Sequence, residues 1–195
     1  MTARDYFSDP PALRTKRLIL RKMSMSDAAD LFAYASDPAM TRYTSWAPHA
    51  SIEDSRTFLA FVESRYRNGE PASHAVVDAA TNRMIGTCGV ASYSEQHERA
   101  EIAYAIAAAY WNKGYMTEAA RATVDDAFRV LKLNRLQSCC HVDNAGSRRV
   151  MEKLGMRYEG VLRDYFKFQG RYDSVRFYSL LRNEWELQTA HARII

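Results

Sequence analysis

Two short stretches of this 195-residue chain combine residue types and spacing that could do chemistry. The first, EIAYAIAAAYWNKGYMTEAA at residues 101–120, reads as a strand, a short connection containing Gly114 and the opening of a helix. A helix start exposes backbone N–H groups without intrahelical acceptors, together with the positive end of the helix dipole, and both suit phosphate oxygens. Taken alone, Gly114 is more simply a residue of a tight strand-to-helix turn. The second stretch, NAGSRRVMEKLGM at residues 144–156, follows another strand pattern. Asn144 is a natural N-cap, and Ser147, Arg148 and Arg149 fit an ordinary solvated helix face. The pairing carries more weight than either part, because strand, turn and helix occur twice in a row. That order would bring two helix starts together at a split in a sheet.

Other chemistries find little support. The phosphate-binding pattern GxxxxGK[ST] is absent, which argues against a mononucleotide hydrolase. Cys88, Cys139 and Cys140 are too few for a disulfide framework, and no Cys or His pair has metal-ligand spacing. They read as small core residues of a protein in a reducing cytoplasm, with no metal expected. Lys and Arg number 27 against 23 Asp and Glu, and the resulting +4 favours anionic ligands without requiring nucleic acid. With 47% hydrophobic and 26% charged residues, the composition is that of a folded chain and not a disordered one. No apolar run approaches the roughly 18 to 20 residues of a membrane span, and the first 20 residues lack a signal peptide's apolar core.

The elements that must position these stretches follow from periodicity. Residues 1–15, with Pro10 and Pro11, read as a loose N-terminal arm; residues 16–182 as one domain; and 183–195 as a C-terminal tail. Arg17–Met23 is a strand candidate. Ser24 and Asp27 stand in capping-box spacing before Leu31, Phe32 and Ala35, and Ser51–Asp54 opens a second helix that Gly69 closes. Three antiparallel strands follow, at SHAVV, RMIGTCGVASY and RAEIAYAI, and then a helix with Met116, Ala119, Ala120, Val124 and Ala127 on one face. RLQSCCHV is a further strand, Asn144–Gly155 a helix, and the end a hairpin around Gln169-Gly170.

Taken together, TKRLILRKM, TRYTSWAPHASIEDSRTFL, AEIAYAIAAAYWNKGYMTEA, VDNAGSRRVMEKLGMRYEGVLRD and GRYDSVRFYSLL resemble the GNAT superfamily of N-acetyltransferases. The closest resemblance is to its RimJ/RimL-type branch, which acetylates ribosomal-protein N-termini. The resemblance covers about Lys16 to Leu181. It implies an α/β fold with a mixed, mostly antiparallel sheet of about seven strands, a V-shaped split between the fourth and fifth, and helices on both faces. Acetyl-CoA would lie along residues 99–106, touching Tyr104, Ala105 and Ile106, with its pyrophosphate on Trp111, Asn112, Lys113, Gly114, Tyr115, Met116 and Thr117. Relative to the branch's usual WGKGYATEA, this chain has Asn112 for the first Gly and Met116 for the Ala. Asn144 and Ser147 match the pair that faces the pantetheine arm.

The implied reaction is direct attack of a primary amine on the acetyl thioester, which needs a base, an oxyanion donor and an acid but no side-chain nucleophile. Glu101 matches the family's base, and the oxyanion donor would be a backbone N–H near Ala105 or Ile106. Glu101 equally fits a surface strand residue paired with a neighbouring Arg or Lys. Many relatives carry a Tyr general acid where this chain has Met151, a cofactor-lining position whose thioether cannot donate a proton; either Ser147, a water or bulk solvent would then protonate the thiolate, or the step hardly needs help. Trp46 and Tyr93 fall where the acceptor groove would form. The implied partners are acetyl-CoA and an amine acceptor, such as a ribosomal-protein N-terminus, without direct nucleic-acid or membrane contact, in a monomer or homodimer. A polyamine, aminoglycoside or amino-acid-like acceptor is the alternative within the class. From other classes come an RNA-binding module, suggested by aromatic and basic residues interleaved on the last hairpin, and an inactive CoA-binding scaffold.

Overall fold

The computed structural model describes residues 2–168 and 170–192. Eight strands form one sheet: β1 (Leu13–Arg14), β2 (Leu18–Arg21), β3 (Ser73–Asp78), β4 (Arg83–Ser94), β5 (Arg99–Ile106), β6 (Arg135–His141), β7 (Arg157–Phe168) and β8 (Arg171–Leu181). Their order is β1-β2-β3-β4-β5-β6-β8-β7, and every neighbouring pair is antiparallel except β5 and β6. The strand beyond the seven expected is β1, whose two residues are too short to leave a periodic signature. The hairpin turn between β7 and β8 includes Gln169, which lies outside the described residues.

Helices cover both faces. On one side lie α1 (Ala3–Ser8), α5 (Tyr115–Val130), α6 (Ala145–Lys153) and α7 (Arg182–Ala192), which bury residues such as Phe7, Phe128, Met151 and Trp185 in one core layer. On the other, α2 (Ala28–Ala35), α3 (Pro38–Thr41) and α4 (Ile52–Asn68) pack Leu31, Met40, Leu59 and Val62 against a second layer. The amphipathic spacing of α5 accounts for its seat: Met116, Ala119, Ala120, Val124 and Ala127 are all buried. Helix α4 begins in the expected capping box of Ser51 and Asp54 and ends at Gly69. Among the described residues, no helix is long and apolar enough to cross a membrane.

Both chain ends are more ordered than their sequences suggest. The segment expected as a loose arm begins with a Thr2–Asp5 capping box and buries Tyr6 and Phe7, and the Tyr6 hydroxyl donates to Asp126 Oδ2 at 2.5 Å. Six helical residues are too few to show a period, so only the two aromatics betray the packing. The expected tail is helix α7, with Trp185 stacked on Phe128 at 5.1 Å and its indole N–H donating to Asp125.

The site is made by a failure of pairing. Strands β5 and β6 share only three register pairs, Arg99 with Arg135, Ala100 with Leu136, and Glu101 with Gln137, although β5 continues to Ile106 and β6 to His141. Directly across β5, strand β4 carries a bulge: Val90 pairs with Ile102 and Ser92 with Glu101, which leaves Ala91 unpaired. A bulge bends its strand and increases the local twist, and this one lies beside the point where β5 parts from β6. At the first unpaired step, the Ser138 hydroxyl donates to the Ile102 carbonyl at 2.9 Å in place of a ladder bond.

Candidate active site

The wall of the split on the α5 side ends in a tight loop. After β5 a 3-10 turn at Ala108–Tyr110 leads into Trp111, then Asn112 at φ 58°, Lys113 and Gly114 at φ 81°. Two left-handed residues within three positions coil the backbone into the start of α5. Asn is among the few side chains that tolerate this region, so Asn112 preserves the path that a glycine takes in the branch pattern. The N–H groups of Tyr115, Met116 and Thr117 open the helix with no intrahelical acceptor. The Met116 side chain is buried in the core, which leaves only its backbone toward the loop. The Trp111 indole donates to the Ile106 carbonyl at 2.9 Å, and the Lys113 ammonium to the Ala109 carbonyl at 2.7 Å. These contacts stiffen the loop from within.

A second brace comes from the start of β2. The carboxylate of Glu118 accepts from Thr15 Oγ1 at 2.7 Å, from the Arg17 backbone at 2.8 Å and from Arg17 Nε at 2.7 Å. Burial works to raise the Glu118 pKa, but these hydrogen bonds and the Arg17 charge hold it below the usual carboxylate range. Sequence reasoning missed this cluster because its members lie about a hundred positions apart.

The opposite wall is the start of α6. Asn144 caps it, its Oδ1 accepting from the Ser147 backbone at 3.0 Å, which leaves the amide nitrogen uncommitted. Across the split, the Tyr104 hydroxyl donates to the Ser147 carbonyl at 3.2 Å and shares a 3.0 Å hydrogen bond with Ser147 Oγ. Burial raises the Tyr104 pKa, so the phenol keeps its proton. The Ile102 and Ile106 carbonyls are reached by Ser138 and Trp111, and strand alternation therefore turns the N–H groups of Tyr104 and Ile106 into the split. Of the two candidate oxyanion donors, only Ile106 faces it; the backbone of Ala105 is directed toward β4. Met151 does not line the split. It is 0% exposed, within the core beneath α6, so its side chain cannot reach a ligand there.

The sheet's other face, toward the acceptor, carries Glu101 at the closing point of the V. Gln137 Nε2 donates to Glu101 Oε2 at 3.2 Å, and the Cys139 thiol lies 3.9 Å from Oε1. Among the described residues Glu101 makes no ion pair, so the surface-pair reading does not apply. Burial and the Glu101 charge push the Cys139 thiol up to about 12 and also raise the Tyr165 phenol. Further out, His141 stacks on Tyr43 at 5.2 Å, accepts from the Asp143 backbone at Nδ1 and faces Asp173 Oδ1 at 3.7 Å. Tyr43 is thus the residue of the α3–α4 loop that reaches across the split. Trp46 instead packs half-buried against the α2 and α4 layer. Tyr93 is displaced as well: the bulge at Ala91 shifts its phase, so it pairs with Ala100 and packs on Phe7, on the face opposite Glu101.

A split parallel pair with a helix start on each wall, that of α5 uncapped by any side chain, suits a phosphate-bearing thioester threaded between strands. A family model described as an acetyltransferase (GNAT) domain matches residues 17–157. The chain belongs to the GNAT family. This GNAT enzyme is 34% identical over 173 residues to an uncharacterized N-acetyltransferase, p20, of Bacillus licheniformis, covering 89% of this chain and 97% of the relative. It is 32% identical over 153 residues to a spermidine N(1)-acetyltransferase of Escherichia coli, covering 78% and 80%. Its fold matches a ribosomal-protein-S5-alanine acetyltransferase from Vibrio fischeri with a TM-score of 0.73 at 21% identity, over 90% and 98% of the chains. It also matches the microcin C7 self-immunity acetyltransferase MccE, solved with acetyl-CoA and AMP, with a TM-score of 0.78 at 19% identity, over 86% and 93%. The GNAT enzyme is an acetyl-CoA-dependent N-acetyltransferase. Among the described residues no group of His, Cys, Asp or Glu could hold a metal ion.

Proposed function

We propose that this enzyme transfers the acetyl group to the N-terminal α-amine of a protein chain, with Glu101 as base and Ser147 as acid. The observation that carries this reading is the state of Glu101: a carboxylate at the closing point of the split that, among the described residues, pairs with no cation and has an amide and a thiol as its side-chain hydrogen-bond neighbours. Such a group can take a proton from an incoming ammonium, directly or through one water. The split walls supply the rest. In this reading the Ile106 N–H donates to the developing oxyanion, Ser147 Oγ returns a proton to the departing thiolate, and the loop at Gly114 with the first amides of α5 receives the pyrophosphate.

A lone carboxylate without further general-base machinery suits an α-amine, whose reference pKa near 7.8 leaves roughly 10 to 15% neutral at pH 7, against about 0.04% for a lysine side chain. The S5-alanine acetyltransferase fold match agrees with this class. Three free cysteines suit a cytoplasmic setting. A polyamine acceptor is the second reading, favoured by the spermidine acetyltransferase relative and by Asp173 and Asp143, which have only His141 as an ion-pair neighbour among the described residues. The deciding experiment compares kcat/KM for a short peptide with a free N-terminus, the same peptide N-blocked but carrying lysine, and spermidine. Preference for the free N-terminus is the expected result; a spermidine value higher than both peptides would replace it with the polyamine reading.

A further inference from the structure

We propose that Arg17, outside the loop itself, is a positioning residue for the diphosphate of acetyl-CoA; the inference rests on the reading that this group binds at the Gly114 loop. The guanidinium is held on three sides. Its Nε meets Glu118 Oε2 at 2.7 Å, its Nη1 donates to the Lys113 carbonyl at 3.0 Å, and its plane lies 4.0 Å from the centre of the Tyr115 ring. The remaining nitrogen, Nη2, has no partner among the described residues. It stands 3.5 Å from where a Cβ on Gly114 would be, beside the residue that caps α5.

The charges explain why such a residue is needed. Glu118 sits in the first turn of α5, where a carboxylate favours the helix dipole but would repel an arriving diphosphate. Arg17 cancels that charge, pins the carbonyl of Lys113 away from the anion, and keeps one donor of a rigid planar fork aimed into the site. Thr15 and the Arg17 backbone fix the Glu118 carboxylate from the other side, so the fork has little freedom to swing.

The test compares three thioester donors: acetyl-CoA, acetyl-dephospho-CoA, which keeps the diphosphate but lacks the ribose phosphate, and S-acetylpantetheine, which has neither. In Arg17→Met, the ratio of kcat/KM for acetyl-CoA to that for S-acetylpantetheine should fall by about tenfold or more, with acetyl-dephospho-CoA falling alongside acetyl-CoA. Adding Glu118→Gln removes the carboxylate that Arg17→Met leaves without its guanidinium partner and should recover about threefold of that ratio. The double variant also replaces an ion pair with two neutral groups, so it remains testable if the single variant does not fold. A role as a structural pin alone predicts that all three donors lose the same factor and that Glu118→Gln brings no recovery; either result overturns the proposal. Gly114→Val separates the underlying reading. A lowered ratio in Gly114→Val with an unchanged ratio in Arg17→Met leaves the diphosphate at the loop and removes Arg17, whereas unchanged ratios in both remove the site.

Discussion

The hydroxyl of Tyr104 on β5 and the Oγ of Ser147 on α6 are 3.0 Å apart, and this contact, with the 3.2 Å bond from the same hydroxyl to the Ser147 carbonyl, joins the two walls of the split. It also fixes the orientation of Ser147, because the phenol's one proton goes to the Ser147 carbonyl and Oγ is held against the phenol oxygen.

Tyr104→Phe should therefore lower kcat by about threefold to tenfold while costing about 1 kcal/mol of stability, the usual worth of one buried hydrogen bond. Ser147→Ala should lower kcat further. In the double variant the two effects should not add, since both act on the same proton donor. Additive losses in a double-mutant cycle of kcat would mean that Tyr104 does not act through Ser147.

Glu101→Gln keeps the shape of the side chain and its contact with Gln137 but cannot accept a proton. Near pH 7 it should lose about a hundredfold in kcat/KM. The deficit should shrink as pH rises past about 8, where an α-amine with a reference pKa near 7.8 arrives already neutral. A pH–rate profile that overlays the parent throughout would remove Glu101 from the reaction.

Asn144→Asp tests the uncommitted amide of the α6 cap. Aspartate caps a helix as well as asparagine, so the melting temperature should hold, while loss of the Nδ2 donor and gain of a negative charge should raise the KM for acetyl-CoA several-fold. An unchanged KM would restrict Asn144 to the capping role.

Acid sensitivity should have one identifiable source in the β7–β8 hairpin. Arg135 and Ser179 hold Glu159 at about 2, below its usual 4.5. A depressed carboxylate pKa adds stability above the unfolded value, and that stability disappears as pH falls from about 4.5 toward 2. Glu159 is 40% exposed, so solvent screening limits the effect to about 1 kcal/mol or less. Chemical denaturation of Glu159→Gln should show this loss at pH 7 and converge with the parent near pH 2.

What the sequence made legible was local. The Ser51–Asp54 box, the Asn144 cap and the period of α5 each depend on residues within one or two helical turns, and each occurs where expected. Both helix starts of the site followed from them. The misplaced residues depend on longer-range relations. Tyr93 changed faces because of one unpaired residue in β4, and Met151 went to the core because α6 turns that side chain inward. Arg17 with Glu118, and Tyr43 with His141, meet only after the sheet has closed. No window of ten residues contains either pair.

The unpaired Ala91 gives the cleft an unusual kind of permanence. Because the bulge beside the opening between β5 and β6 is a matter of residue count in β4, and not of the chemistry of any side chain that lines the cleft, substitutions in the lining leave it in place. Removing a single residue near Ala91 should instead restore an unbroken β4–β5 register and, with it, a different twist at the mouth of the split.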